Sequence, residues 1–296
     1  MAEKTLIKLL DILQYSSGLL KSKNIENPRL NSELLMSDTL KCDRMRLYID
    51  FDKPLTLEER ELFKERLLRR IKGEPLQYIL GYTDFCNVKI FLNKSVLIPR
   101  PETEELVVRI FDEIIKRNLE NVKIYEAATG SGCISIALGK ELEKANVRYE
   151  ITASDISDKA LEMAKYNSAF NNAGYINFRK QDFFSLDVET DIFILNPPYV
   201  SDEEYNRLDS VIKDWEPKNA LTDNNDGMSF YNKMFEMMKS GNLNAKFIFC
   251  EIGYNQKDKI TKKLETSLIS GYEFFKDLSG NDRILFIDNE SGNTKG

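Results

Sequence analysis

Val122-Lys123-Ile124-Tyr125-Glu126 runs directly into Ala127-Ala128-Thr129-Gly130-Ser131-Gly132-Cys133. The first five residues read as a strand, and helical periodicity follows the glycines through Leu142. Glycines between a strand and a helix let the backbone approach a ligand closely, and the helix N-terminus favours anionic groups. A Gly-x-Gly pair alone is a weak signal. Here the context of a nucleotide-type site accompanies it: strand before, helix after, and Asp155 at the end of the next strand, 23 positions beyond Gly132. A carboxylate there can accept hydrogens from both hydroxyls of a ribose. The plainer alternative is a tight βα turn, with Asp155 capping the helix that follows.

The alternation continues downstream. Residues 149–153, 176–179, 192–195 and 247–251 read as further strands, and 158–171 as a helix. Repeated β-α units imply a parallel, doubly wound α/β sheet, in which ligands bind beyond the carboxyl ends of the strands. Residues 272–278 and 283–287, joined by Ser279-Gly280-Asn281-Asp282, predict a terminal hairpin, and the polar tail from Asn289 to Gly296 predicts fraying.

Upstream the texture is helical. Leu6, Leu9, Leu10 and Leu13 recur at helical spacing, as do Leu30, Leu34 and Leu35, then Leu62, Phe63, Leu67, Leu68 and Ile71. Thr56 with Glu59 predicts a capping box for the last of these helices. Gly73-Glu74-Pro75 ends the region. Two β-like pieces, residues 83–90 and 91–97, carry hairpin character before the rigid corner Ile98-Pro99-Arg100-Pro101-Glu102 and a helix over 103–117. The resulting plan is a helical domain over 1–74, a β-hairpin linker over 75–102, and an α/β domain over 103–290.

Composition narrows the chemistry. The 296 residues are 42% hydrophobic and 30% charged, as in a soluble globular protein. No apolar run reaches the roughly 18–20 residues that span a bilayer. Met1-Ala2-Glu3-Lys4 does not open a secretory signal, so the expectation is a cytoplasmic protein without a membrane partner. Cys42, Cys86, Cys133 and Cys250 are scattered, which predicts reduced thiols and no metal site. A net charge of −6 argues against a nucleic-acid partner. The basic run from Lys64 to Lys72 reads as a solvated helix face, with a partner patch as the alternative. Histidine is absent, which excludes His-dependent triads, His-metal sites and imidazole acid–base chemistry.

Asn196-Pro197-Pro198-Tyr199 follows the apolar run Asp191-Ile192-Phe193-Ile194-Leu195. Asn brings a carbonyl acceptor and an NH₂ donor. The prolines fix φ and lack N–H groups, so their carbonyls stand as acceptors with little freedom. Tyr offers a flat face. Together these groups can hold an amide or exocyclic amine by its N–H bonds; the alternative is a simple strand-to-loop turn. Asp182-Phe183-Phe184, after the third strand, can meet an adenine with one acceptor and one ring, or be a buried aromatic pair.

In this order the motifs resemble an S-adenosylmethionine-dependent N-methyltransferase, and more specifically the bacterial release factor glutamine methyltransferase family. The resemblance extends to Gly73-Glu74-Pro75-Leu76-Gln77-Tyr78-Ile79-Leu80-Gly81, Ile98 to Glu104, Glu216-Pro217 through Asp226-Gly227, Glu251-Ile252-Gly253 with Gln256, and Lys276 to Arg283. It covers nearly the whole chain. It implies a Rossmann-like fold with a seven-stranded, mostly parallel sheet and a small N-terminal helical domain that docks the substrate. It implies transfer of a methyl group from S-adenosylmethionine to N5 of the glutamine in the Gly-Gly-Gln loop of peptide chain release factors. The implied cofactor residues are Ala128, Thr129, Gly130, Ser131, Gly132, Asp155, Asp182, Phe183 and Asn196. Asn196, Pro197, Pro198 and Tyr199 would hold the substrate, with Asn196, Pro197 and Tyr199 carrying catalysis.

One position departs from the family pattern: Ala128 stands where members commonly carry Gly. The expectation is that Ala128 keeps an ordinary negative φ with its methyl toward the cofactor's edge. Arg29 and Glu33 also resemble the family; read on their own, they are a helical surface pair at i,i+4. Arg100 and Glu102 either line the substrate entrance or brace the linker. Three rival readings are an adenine-N6 or cytosine-N4 methyltransferase acting on DNA or RNA, a catalytically silent module that binds release factors or the ribosome, and a nicotinamide-dependent oxidoreductase. The first uses a similar Asn/Asp-Pro-Pro-aromatic corner; the last shares the first loop but gives no reason for the Asn-Pro-Pro-Tyr corner.

Overall fold

A computed structural model describes residues 7–292. The expectations for Leu6, for Met1 to Lys4 and for residues 293–296 lie outside the described residues. Residues up to Gly81, with Ser210–Trp215, form one compact unit, and Tyr82–Asp209 with residues from Glu216 onward form a second.

The first unit is helical, with helices Leu9–Ser22, Pro28–Leu40, Arg44–Ile49, Leu57–Ile71 and Leu76–Leu80. Leu9, Leu13, Leu20, Leu35, Met36, Phe63 and Leu67 meet in one apolar core, whereas Leu30, Leu62 and Leu68 of the same helical spacings are exposed. The capping box forms: Thr56 Oγ1 accepts from the Glu59 N–H (3.2 Å), and Glu59 Oε2 accepts from the Thr56 N–H (2.8 Å). The basic run on Leu57–Ile71 is not simply a solvated face. Arg66 pairs with Asp38 (2.6 Å), Arg69 forks onto Glu74 (2.8 Å for each bond), and Arg70 donates to Asn31 Oδ1 (2.7 Å). Those three guanidinium groups stitch the bundle together, and Lys64 remains on the outer face. Glu33 likewise exceeds a surface pair. Its carboxylate is buried and accepts from Arg29 (2.7 Å), Arg44 (3.1 Å) and Tyr48 (2.6 Å).

The second unit opens with a hairpin, β1 (Tyr82–Phe85) and β2 (Val88–Phe91). Its turn falls at Cys86-Asn87, both at positive φ (44° and 63°), the two-residue geometry that suits the twist of paired strands. The hairpin therefore lies wholly within 82–91, and residues 92–100 are irregular rather than a second strand. The main sheet holds β3 (Val122–Ala127), β4 (Tyr149–Asp155), β5 (Ile176–Lys180), β6 (Val188–Leu195), β7 (Leu243–Glu251), β8 (Tyr272–Lys276) and β9 (Asp282–Asp288). Their order is β5-β4-β3-β6-β7-β9-β8, parallel except for β9, which is antiparallel to both neighbours.

Strands β6 and β7 begin earlier than the apolar runs suggest, at Val188 and Leu243. Polar residues near their starts are tied across the sheet: Asp191 accepts from the Lys123 N–H (2.8 Å) and pairs with Lys246 (2.8 Å). The strand interiors are apolar on successive residues, as expected for a sheet covered on both faces. Phe193, Leu195, Ile248, Cys250 and Leu285 join Tyr231 and Phe235 of helix Ser229–Ser240 in the main core. Asn289–Gly292 makes a helical turn instead of fraying, and Asn289 donates to the Ala245 carbonyl (2.7 Å). No helix among the described residues is long and apolar enough to cross a membrane.

Candidate active site

Chain order reverses between β3 and β6, so the connections after these two strands diverge and leave a crevice at their carboxyl ends. A cavity of about 310 Å³ lies there, within the range of small-molecule sites. Ala128, Thr129, Gly130, Ser131, Asp155, Asp182, Phe183, Asn196 and Pro198 line it; Gly132, Pro197 and Tyr199 do not.

The loop after β3 is wound through three left-handed residues, Ala128 (φ 56°), Gly130 (φ 55°) and Gly132 (φ 79°). The expectation of a negative φ at Ala128 is thus incorrect. The loop needs the same conformation that glycine supplies, and alanine adopts it at a cost of ~1–2 kcal/mol. The two glycines serve different ends. A Cβ on Gly130 would meet nothing within 4 Å, whereas one on Gly132 would stand 3.1 Å from Ala164 Cβ and 3.2 Å from Ile136 Cδ1. Gly132 lets the helices Cys133–Lys144 and Asp158–Phe170 close on each other, while Gly130 keeps the cavity wall bare.

Two carboxylates pin this loop. Glu126 Oε2 accepts from Thr129 Oγ1 (2.8 Å), the Ser135 N–H (3.2 Å) and the Ser135 hydroxyl. Burial nevertheless pushes its carboxyl up to about 7. Asp155 accepts from the Gly130 N–H (2.9 Å) with one oxygen and the Ser157 N–H (2.9 Å) with the other. Each oxygen keeps a second lone pair for a ligand. Burial raises Asp155 as well, opposed by the Ser157 and Gly130 N–H bonds. The following helix is capped by Ser157, whose hydroxyl accepts from the Ala160 N–H (3.3 Å), so Asp155 does not serve as that cap.

A residue without any sequence signal supports the loop from behind. Asn167, fully buried, accepts from the Phe91 N–H (2.8 Å) and donates to the carbonyls of Phe91 (3.0 Å) and Ser131 (2.9 Å). It pairs with the hairpin as another strand would, and holds the glycine loop in the same grip.

Asp182 Oδ1 accepts from the Phe184 N–H (3.0 Å), starting the short turn Phe183–Ser185. Phe183 and Phe184 pack against Phe230 at centroid distances of 5.1 and 5.0 Å. All three rings border the cavity, which gives that wall an aromatic lining that only Phe183 and Phe184 announced. Arg100 borders the cavity, and its guanidinium pairs with the buried Glu216 (2.6 Å). Glu102 is not on the cavity wall.

Asn196 stands just past β6, beside Glu251 at the end of β7, because Leu195 and Cys250 are register partners. Its Nδ2 donates to Glu251 Oε2 (2.9 Å) and contacts Thr103 Oγ1 (3.4 Å). Thr103 Oγ1 donates to the same Glu251 oxygen (2.7 Å), and the Tyr199 hydroxyl donates to the other (3.2 Å). Tyr199 is thereby directed to Glu251 instead of the cavity wall; burial and the Glu251 charge push its phenol well above its usual range. The chain around it is fixed by Gln256, whose Nε2 donates to the carbonyls of Tyr199 (2.9 Å) and Gly227 (3.0 Å). With Nδ2 committed to a carboxylate, Asn196 presents an amide oxygen, an acceptor, to the cavity.

Residues 11–81 match the PrmC N-terminal domain, and residues 106–251 the Methyltransferase small domain. The release factor glutamine methyltransferase of Thermodesulfovibrio yellowstonii is 36% identical over 258 residues, covering 86% of this chain and 90% of the relative. That of Fusobacterium nucleatum subsp. nucleatum is 35% identical over 280 residues, 93% of this chain and 77% of the relative.

The chain belongs to the release factor glutamine methyltransferase family.

It is therefore an enzyme, a methyltransferase with a Rossmann-like α/β fold. The family's Bacillus cereus member, 31% identical over 293 residues, aligns over 96% of this chain and 100% of its own length. Among solved structures, the hMettl16 catalytic domain in complex with the MAT2A 3'UTR hairpin 6 shares the fold, with a TM-score of 0.55 over 76% of this chain and 82% of that one. At 17% identity the likeness extends to the fold alone. For this family member, the residues that sequence reasoning missed are Thr103, Glu251 in its role beside Asn196, Asn167 and Phe230. Glu251 was visible as part of a family segment, but nothing local in the sequence says what its side chain meets.

Proposed function

We propose that this enzyme transfers a methyl group from S-adenosylmethionine to the side-chain N5 of the glutamine in the Gly-Gly-Gln motif of peptide chain release factors. The observation that carries the reading is Asn196, held by Glu251 so that an amide oxygen is offered to a cavity that also bears Asp155. The residues present fit S-adenosylmethionine. Asp155 offers lone pairs for ribose hydroxyls, Phe183, Phe184 and Phe230 give an adenine apolar faces, and Asp182 retains an oxygen for an exocyclic amine. Thr129, Gly130 and Ser131 form a wall of small side chains, and Ala128 borders it.

S-adenosylmethionine supplies a sulfonium methyl, which is already a strong electrophile. An amide nitrogen is a poor nucleophile because its lone pair is delocalised into the carbonyl. The enzyme's task is alignment and localisation of that pair more than removal of a proton. Asn196 Oδ1 would accept one N–H hydrogen of the glutamine amide, and the main-chain carbonyl of Pro197, adjacent to it though off the cavity wall, the other, which would leave the amide lone pair free to face the methyl donor. The bond that would form to nitrogen is matched by the carbon–sulfur bond that would break, whose electron pair would remain on sulfur. The N-alkylated amide then releases its proton to water, so no histidine is required. Tyr199 holds the corner through Glu251.

The test is transfer of labelled methyl from S-adenosylmethionine to purified release factor, with Asn196→Ala alongside. The wild type labels the protein. Asn196→Ala loses turnover while calorimetry still shows cofactor binding. Retained turnover in Asn196→Ala would remove the proposed role of the corner.

A further inference from the structure

Glu251 is a carboxylate with 2% exposure, and among the described residues every side chain hydrogen-bonded to its oxygens is a donor: Thr103 and Asn196 on Oε2, Tyr199 on Oε1. Burial raises the Glu251 carboxyl, opposed by the Thr103 hydrogen bond, the nearby Arg283 charge and the Tyr199 hydrogen bond. With three donors directed at its two oxygens, the group is placed to accept, and in its ionised form it can only accept. Asn196, by contrast, can face any neighbour with either end of its carboxamide. A neighbour restricted to accepting removes that freedom, because the flipped amide would set Oδ1 against a carboxylate oxygen. The backbone offers no alternative orientation, since Asn196 precedes two prolines and Gln256 fixes the chain at Tyr199. The Glu251 main chain is held in turn, its carbonyl accepting from the Tyr231 hydroxyl (2.9 Å).

We propose that Glu251 is a positioning residue that sets the polarity of Asn196, and so restricts the acceptor substrate to groups that donate N–H. A glutamine amide satisfies Oδ1; a glutamate carboxylate in the same place sets acceptor against acceptor and is rejected. This inference rests on the methyl-transfer reading above and adds the origin of its selectivity for nitrogen.

The polarity can be reversed without changing size. In Asn196→Asp, position 196 has lost its donor and stands against Glu251 as a second carboxylate. In the double variant Asn196→Asp/Glu251→Gln, the introduced carboxamide donates from its Nε2 to the carboxylate at position 196. Its oxygen accepts from Tyr199, and an acceptor again faces the cavity. Turnover on release factor, cofactor affinity by calorimetry and thermal unfolding are measured for wild type, both single variants and the double.

Misdirection of a reacting group costs about 100-fold, so kcat of Asn196→Asp falls by about that factor with little change in KM. Adding Glu251→Gln raises kcat of Asn196→Asp at least about tenfold, an effect of ~1.4 kcal/mol, while the same substitution lowers kcat of the wild type. A residue that merely fills space gives no such reversal of sign. If Asn196→Asp fails to fold, recovery of folding in the double variant reports the same relieved contact. A folded double variant without recovered turnover, or one as unfolded as the single, overturns the proposal. Absence of turnover in the wild type overturns the methyl-transfer reading instead.

Discussion

Gly132 and Gly130 sit two residues apart in the same left-handed region of backbone space, yet alanine should act differently at each. At Gly132 the added methyl meets Ala164 Cβ at 3.1 Å, Ile136 Cδ1 at 3.2 Å and Ala164 Cα at 3.3 Å. The backbone strain of an L-residue at φ 79° comes to ~1–2 kcal/mol. Overpacking between two helices adds ~1–3 kcal/mol. The alanine's smaller unfolded-state entropy returns ~0.4–1 kcal/mol. Gly132→Ala is therefore expected to lose about 3 kcal/mol of stability. At Gly130 no atom lies within 4 Å of the added methyl, so only the strain and entropy terms apply and the loss is about 1 kcal/mol. The Gly130 methyl instead enters the cavity wall and should weaken S-adenosylmethionine binding about tenfold, or ~1.4 kcal/mol. Urea unfolding followed by circular dichroism gives the first quantity and calorimetry the second. Equal stability losses in the two variants would refute the division of labour between the glycines, as would a cofactor affinity in Gly130→Ala equal to that of the wild type.

Three further perturbations test other parts of the structure. Ala128→Gly removes the strain at φ 56° but gives up a partly buried methyl and gains unfolded-state freedom, so it should shift stability by no more than about 1 kcal/mol in the same urea assay; a loss of several would mean the backbone is not left-handed there. Burial raises Glu126 from 4.5 to about 7, so the folded state holds a proton the unfolded chain releases, and stability falls as pH rises between those values. At ~1.4 kcal/mol per unit this is a loss of about 3 kcal/mol, and Glu126→Gln should flatten it in unfolding measured across that window. Asn167→Ala leaves the Phe91 N–H and two carbonyls without their partner, so it should cost about 2–3 kcal/mol and speed amide exchange in β2, read by hydrogen exchange.

The parallel sheet was legible because β3, β4, β6 and β7 carry apolar runs and helix signals follow the first two of them. Gly130, Gly132 and Asp155 could be placed from spacing alone, since a strand-loop-helix unit fixes where its loop must lie. The hairpin turn was misplaced because Cys86-Asn87 lacks the glycine that usually marks two positive φ angles. Ala128 was misread for a similar reason: residue preference argues against a left-handed alanine, and the loop's fixed ends override it. The partners of Asn196 were hidden because Glu251 is 55 residues away along the chain and Thr103 is 93. They meet only through the β6–β7 register and the start of helix Pro101–Lys116. The basic run from Lys64 to Lys72 shows the same limit, since its arginines find carboxylates and an amide elsewhere in the helical unit.

Methyl transfer to a glutamine amide is tested most directly by mass spectrometry of release factor incubated with this enzyme and methyl-labelled S-adenosylmethionine. The tryptic peptide that carries Gly-Gly-Gln should gain one labelled methyl, and fragmentation should place it on the glutamine side chain. An unmodified glutamine in that peptide, with the label recovered on DNA or RNA supplied in the same reaction, would contradict it.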